Sequence, residues 1–296
     1  MPTYELFQID VFTKQPLNGN PCAVILDTDN MDEATMQAIA KEMNLSETAF
    51  VHHSEVANFG VRYFTPEQEI PMAGHPTIAT TLALIEAGQL TLQGPLTTIK
   101  LELSVGPINV EIFSESNQVQ QIVMSQKKPR FLMTHDPEIV LPIFGLSPRN
   151  MLPDVPIQTV STGTPQLMIP LQEIGMLHRI QIDTAAYKEY RAQSDFFSPH
   201  LFCLEGITKE GDTFARHFGV PPDTPEDSFT GSATGGMAAY LWHYNLIKNP
   251  TFIAEQGHWM QRPGRALVKV IGPRDDIQTV KVSGQAVKIF QGKLTI

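Results

Sequence analysis

Ala73-Gly74-His75-Pro76-Thr77 and Thr230-Gly231-Ser232-Ala233-Thr234-Gly235-Gly236 read as two helix starts, one in each half of a 296-residue chain. Gly74 permits close backbone approach, and Pro76 fits a first helical turn, where no N–H partner is lost. The apolar run behind His75 predicts a helix to about Glu86, stopping before Gly88. The run behind Ser232 predicts a second helix to about Tyr244. Counting each glycine's followers, the tenth is leucine in both, Leu84 and Leu241.

The segments around these helices match in order. Gly19-Asn20-Pro21 leads into an apolar strand, and so does Gly163-Thr164-Pro165. Thr48-Ala49-Phe50 has its counterpart in Leu201-Phe202-Cys203, with Phe50 set against Phe202, and Arg62-Tyr63-Phe64 matches Arg216-His217-Phe218. The separation between matched positions rises along the chain, as a tandem duplication with small insertions requires. Strands are predicted at 4–12, 22–26, 48–52, 59–64, 98–103, 108–113 and 119–124, with a helix over 32–42. The second half resumes with strands at 157–160, 167–169, 201–204, 213–218, 266–270, 279–282 and 286–290. Between the halves, Lys127 to Pro153 is rich in proline and suits a domain junction.

Two similar α/β halves favour a ligand cleft between domains. A helix start offers unpaired N–H groups and about half a positive charge. The expected ligand is therefore a small carboxylate. Composition fits an ordinary globular protein: 42% hydrophobic and 18% charged residues. The net charge of -10 argues against nucleic acid as a partner. No apolar run reaches the ~20 residues of a membrane helix. The opening Met1-Pro2-Thr3-Tyr4-Glu5 lacks the basic and apolar regions of an export signal, so the cytoplasm is the expected location. Cys22 and Cys203 read as core residues, and no histidine pair has HExxH spacing, so no metal site is expected.

Four side chains carry the candidate chemistry. His75 sits at the positive end of the first helix, where that field favours a neutral imidazole able to relay a proton; a packing or capping histidine is the plainer reading. Ser232 can cap the second helix or bond a substrate oxygen, and Asp227 adds an ionisable group beside it. This stretch lacks the lysine of a phosphate loop, which argues against nucleotide binding. Glu47 borders the apolar Ala49-Phe50-Val51 run, where desolvation would raise its pKa towards the range useful for proton transfer. A solvated loop glutamate is the alternative.

Taken together, these words resemble the phenazine-biosynthesis isomerase (PhzF-like) family. The resemblance runs through Asp10-Val11-Phe12-Thr13, Gly19-Asn20-Pro21, Leu45-Ser46-Glu47-Thr48, Phe64-Thr65-Pro66, Ala73-Gly74-His75-Pro76-Thr77, Ser161-Thr162-Gly163-Thr164-Pro165, Glu226-Asp227 with Thr230-Gly231-Ser232-Ala233, and Gln256-Gly257 with Arg262-Pro263-Gly264-Arg265. It implies an α+β fold like diaminopimelate epimerase: two pseudo-symmetric halves, each a curved, barrel-like, mostly antiparallel sheet around a central helix. The halves would span 1–118, with its helix near 75–87, and 119–283, with its helix near 232–245. Residues 284–296 would return to the first half as a strand. The resemblance further implies a homodimer, no cofactor, and isomerisation of a cyclic carboxylate by proton movement between ring carbons. Glu47 matches the catalytic acid/base, His75 and Asp227 its polar partners, and Gly74, Gly231 and Ser232 the substrate-binding groups. Ser228-Phe229 departs from the family pattern of proline and a small residue, which bears on pocket shape. Thiol-based epimerases of this fold carry cysteines at the helix starts; here Cys22 and Cys203 lie elsewhere. The rival function is a non-catalytic metabolite-binding or interaction protein that has kept the fold.

Overall fold

The computed structural model describes residues 1–219 and 225–296. Its backbone divides into two units, one of Met1–Ser125, Gln261–Gly264 and Ser283–Ile296, the other of Gln126–Met260 and Arg265–Val282.

In the first unit, β1 (Thr3–Val11) and β2 (Asn20–Ile25) form an antiparallel pair. The turn between them uses Gly19 at φ 60, where a Cβ would lie 2.0 Å from the Val11 carbonyl oxygen; only glycine fits. α1 (Glu33–Met43) crosses to β3 (Glu47–His52), which runs parallel to β2. Asp32 caps α1 by accepting from the Thr35 N–H, and Asn44 ends it in the left-handed conformation. β4 (Phe59–Phe64) pairs antiparallel with β3, and the two-residue β5 (Glu69–Ile70) folds back on β4. After α2 (Gly74–Glu86), β6 (Leu96–Leu103) runs parallel to β4 and continues as a meander through β7 (Gly106–Glu115) and β8 (Gln118–Ser125). β17 (Ala286–Thr295) pairs antiparallel with β1. α2 touches β1, β2, β3, β8 and β17, so the sheet wraps the helix. Every residue from Gly74 to Leu84 is buried, which explains why α2 is apolar on all sides rather than striped. α1 covers a smaller core in which Phe50 and Phe64 meet edge to face, centroids 5.4 Å apart.

The second unit repeats this order. β9 (Arg130–His135) and α3 (Pro137–Ile143) lead to β10 (Ile157–Ser161), which pairs antiparallel with β9 and with β11 (Pro165–Pro170). α4 (Ile174–His178) and α5 (Thr184–Ala192) cross to β12 (Ser198–Cys203), parallel to β11 and antiparallel to β13 (Thr213–His217). An isolated bridge joins His217 to Asp227 just before α6 (Gly231–His243). β14 (Thr251–Gln256) runs parallel to β13, and β15 (Gly264–Ile271) and β16 (Thr279–Gly284) follow. α6 packs against β10 and β11 and is buried from Gly231 to Leu241. The helices α3, α4 and α5 cover a core that includes Phe144, Leu177, Tyr187 and Phe214.

Three sequence expectations change. β8 pairs with β7 and falls in the first unit, where a boundary at 118/119 placed it in the second. The proline-rich stretch 127–153 begins just after the division between the units but is itself structured, since it holds β9, a ladder partner of β10. Finally, Phe50 corresponds to Leu201, not Phe202: Phe50 faces Ile25 and Arg62, as Leu201 faces Ile169 and Arg216.

Among the described residues, no helix is long and apolar enough to cross a membrane.

Candidate active site

Glu47 opens β3 and His75 lies in the first turn of α2, so strand and helix deliver them to one corner of the first unit. His75 Nε2 is 3.2 Å from Glu47 Oε2; the side chains are 3% and 18% exposed respectively. Glu47 is thus mostly desolvated yet reachable from outside. On the other edge of the imidazole, Asn20 Nδ2 is 3.1 Å from His75 Nδ1. Behind the helix start, Thr77 donates its hydroxyl to the Ala73 carbonyl (2.8 Å). The Tyr63 hydroxyl, 2.9 Å from Thr77 Oγ1, must therefore be the donor in that pair.

Arg262 holds the turn that carries Asn20. Its guanidinium donates to the Gly19 carbonyl (2.9 Å), the Asn18 carbonyl (3.0 Å) and Asp10 Oδ1 (2.7 Å), while Asp10 Oδ2 accepts from the Leu17 N–H (2.7 Å). Gly19 N–H in turn donates to the Pro263 carbonyl at 3.1 Å. Burial pushes the Asp10 carboxyl up, and the Arg262 charge works against that shift. Cys22 faces Glu47 across the β2–β3 ladder. Burial raises its thiol far above the usual range and the Glu47 charge adds to this, so it is no thiolate nucleophile. Cys203 is pushed up to about 11 by burial.

The second unit builds a different corner at the start of α6. Thr230 is its N-cap, and the Thr230 hydroxyl donates to Asp227 Oδ2 at 2.5 Å. Gln256, at the end of β14, clamps the loop: its Nε2 donates to the Asp227 carbonyl (2.7 Å) and its Oε1 accepts from the Thr230 N–H (3.2 Å). Gln126 donates to the Gly231 carbonyl at 2.8 Å, and its amide presses on Gly235, where a Cβ would stand 1.8 Å from Gln126 Oε1. Ser232 is buried in this first turn, and Phe229 is completely buried.

Beside Asp227 lies a polar chain inside the sheet. Ser198 donates to Gln166 Oε1 (2.7 Å), so Ser198 Oγ accepts from His217 Nε2 (2.9 Å). His200 Nδ1 meets His217 Nδ1 at 3.3 Å. Burial lowers His217 to about 4, with the Asp227 charge pulling the other way, and burial holds His200 well below its ordinary value. Both rings are neutral near pH 7.

The first unit therefore brings together Glu47, His75 and Gly74. The second gathers Asp227, Gly231 and Ser232. Sequence reasoning missed Asn20 and Gln256 as partners of these groups, although both lie in words it singled out. It also missed His217, whose only signal is its place in Arg216-His217-Phe218. Among the described residues, no three His, Cys, Asp or Glu side chains are grouped as a metal ion would need.

The sequence model of a family described as "Phenazine biosynthesis-like protein" (PhzC-PhzF) matches residues 9–292. The chain is 32% identical over 272 residues to the "Uncharacterized isomerase YfhB" of Bacillus subtilis, covering 91% of this chain and 92% of that protein. It is also 32% identical over 293 residues to the trans-2,3-dihydro-3-hydroxyanthranilate isomerase of Pseudomonas fluorescens, covering 97% and 98%. Among solved structures, a PhzF-family phenazine biosynthesis protein of Bacillus anthracis superposes with a TM-score of 0.88 at 30% identity, over 100% of both chains.

Proposed function

Because the chain belongs to the phenazine biosynthesis-like (PhzC-PhzF) family and is an isomerase by class, we propose that it moves a proton on a small cyclic carboxylate without a cofactor, with Glu47 as general acid/base. The observation that carries this reading is the Glu47–His75 contact at the start of a buried helix. A carboxylate that is largely desolvated, with an imidazole nitrogen 3.2 Å away, is a competent base for a carbon-bound proton. Glu47 takes the proton from one carbon as the electron pair moves into the conjugated system. The same carboxyl returns it at another carbon, so no net oxidation occurs and nothing leaves. In the first unit, Gly74 would offer its backbone to the substrate carboxylate at the helix start. In the second unit, Gly231 and Ser232 would offer N–H and hydroxyl donors, and Asp227 a second ionisable group.

The relative from Pseudomonas fluorescens makes trans-2,3-dihydro-3-hydroxyanthranilate the first compound to assay. Incubation in D2O with wild type should give enzyme-dependent deuterium uptake at carbon. Glu47→Gln should lower that rate by roughly 100- to 10,000-fold while leaving the melting temperature near that of wild type. Undiminished exchange in this variant would overturn the reading. We further propose a homodimer acting in the cytoplasm; light scattering should return about twice the 32.9 kDa of one chain.

A further inference from the structure

His75 stands between a group that only accepts hydrogen bonds and a group that can do either. His75 Nε2 lies 3.2 Å from Glu47 Oε2, close but not aligned as a hydrogen bond, and an ionised Glu47, which can only accept, favours a proton on that nitrogen. A neutral ring then has a bare lone pair on Nδ1. Asn20 presents its NH2 to that lone pair at 3.1 Å, completing a chain from Asn20 through the ring to Glu47. Asn20 is itself fully buried and starts β2, on a turn anchored by Arg262. Its amide is therefore held at the ring by the fold rather than by chance contact.

We propose that Asn20 is a positioning residue that locks His75 as the neutral Nε2–H tautomer, so that His75 is a fixed donor to Glu47 and not a carrier of the migrating proton. This rests on the reading of Glu47 as the acid/base. A second proton could enter the ring only at Nδ1, where it would face the Asn20 N–H across 3.1 Å. Two donors at that separation repel. Burial of the ring and the positive field of the α2 start oppose an imidazolium as well, working against the Glu47 charge, which favours one. The duplicated unit supports the assignment by contrast. There the positions matching Asn20 and His75 are Thr164 and Ser232, so with no imidazole to orient, no amide is kept.

The test reads the ring directly in the full-length, ligand-free protein. Histidine 15N labelling with long-range 1H–15N correlation distinguishes the two tautomers and the imidazolium, and a His75→Gln sample assigns the signals. Near neutral pH the wild type should show protonated Nε2 and bare Nδ1 for residue 75. Asn20→Asp replaces the amide donor with an acceptor, so the Nδ1 resonance should move to its protonated position. Wild-type signals for an Nδ1–H tautomer or an imidazolium would overturn the proposal. So would an unaltered tautomer in a folded Asn20→Asp protein; should that variant not fold, the wild-type spectrum alone decides. Because this readout needs no turnover, it stands apart from the Glu47→Gln exchange assay, whose failure would sink the acid/base reading instead.

Discussion

The two units share one plan and carry opposite chemistry at matching positions. Cys22 faces Glu47 in the first; Gln166 faces Ser198 in the second. Tyr63 lies between Ala49 and Ile70, whereas His217 lies between His200 and Asp227. What they retain in common is scaffolding. Arg62 pairs with Glu69 and covers Phe64 at 5.2 Å, while Arg216 pairs with Glu226 and covers Phe218 at 4.8 Å. Thr77 and Thr234 each bond back to the residue four before, tightening the first turn of its helix. A duplicated fold thus preserves the ion pair and the helix start while exchanging carboxylates and imidazoles around them. Chemistry follows the site and not the scaffold.

The strongest way to break this contrast is to alter matched residues. Glu47→Gln should cost roughly 100-fold or more in deuterium exchange. Ser198→Ala, at the corresponding position, removes a hydroxyl committed to Gln166 and His217 and should leave exchange within about threefold (~0.65 kcal/mol). Equal losses would show that the units have not divided their roles.

Acid titration sharpens the comparison next, because only the second unit buries two facing imidazoles. Below the ordinary histidine pKa of 6.5 the unfolded chain takes up protons that His217 refuses until about 4 and that His200, held well below its ordinary value, refuses too. The folded state binds fewer protons in that window, so stability falls as pH drops from 6.5 through 4. Melting curves across the window should flatten in His217→Gln, after allowance for any uniform loss. A slope identical to wild type would remove these rings from the acid response.

The helix starts differ in packing too. Gly235 corresponds to Ile78 of α2, but the Gln126 amide fills the space a side chain would need. Gly235→Ala should destabilise by about 1–3 kcal/mol, lowering the melting temperature by several degrees, and Gln126→Ala in the same chain should recover part of it. The smallest expected difference lies at the caps of α1 and α5, Asp32 and Asp183, which bond first-turn N–H groups in the same way. Alanine at either should cost about 1 kcal/mol in denaturant unfolding.

Both central helices, the outer strands of the meander and the tandem repeat are legible in the sequence, because long apolar runs between glycines leave few alternatives. β9 is not, since the prolines around Arg130–His135 mask a strand that its ladder with β10 stabilises. β5 is two residues long and has no periodicity to read. Glu47, His75 and Asp227 stand out as ionisable groups beside apolar runs or helix starts. Asn20 reads as a turn residue, and its bond to His75 spans 55 positions. The His200–His217 contact depends on strand register, which the repeat alone misassigns by one residue at Phe50.

The anchoring of the Asn20 turn by Arg262 reaches across 243 positions, and β1 finds its partner β17 only at Ala286–Thr295. During synthesis, then, the corner holding Glu47 and His75 stays unfinished until the ribosome has made Arg262 and β17. Such distant closures slow folding. A fragment ending at Ser125 would possess the proposed acid/base yet lack the brace for its neighbours, and the corner closes only once that distant brace exists.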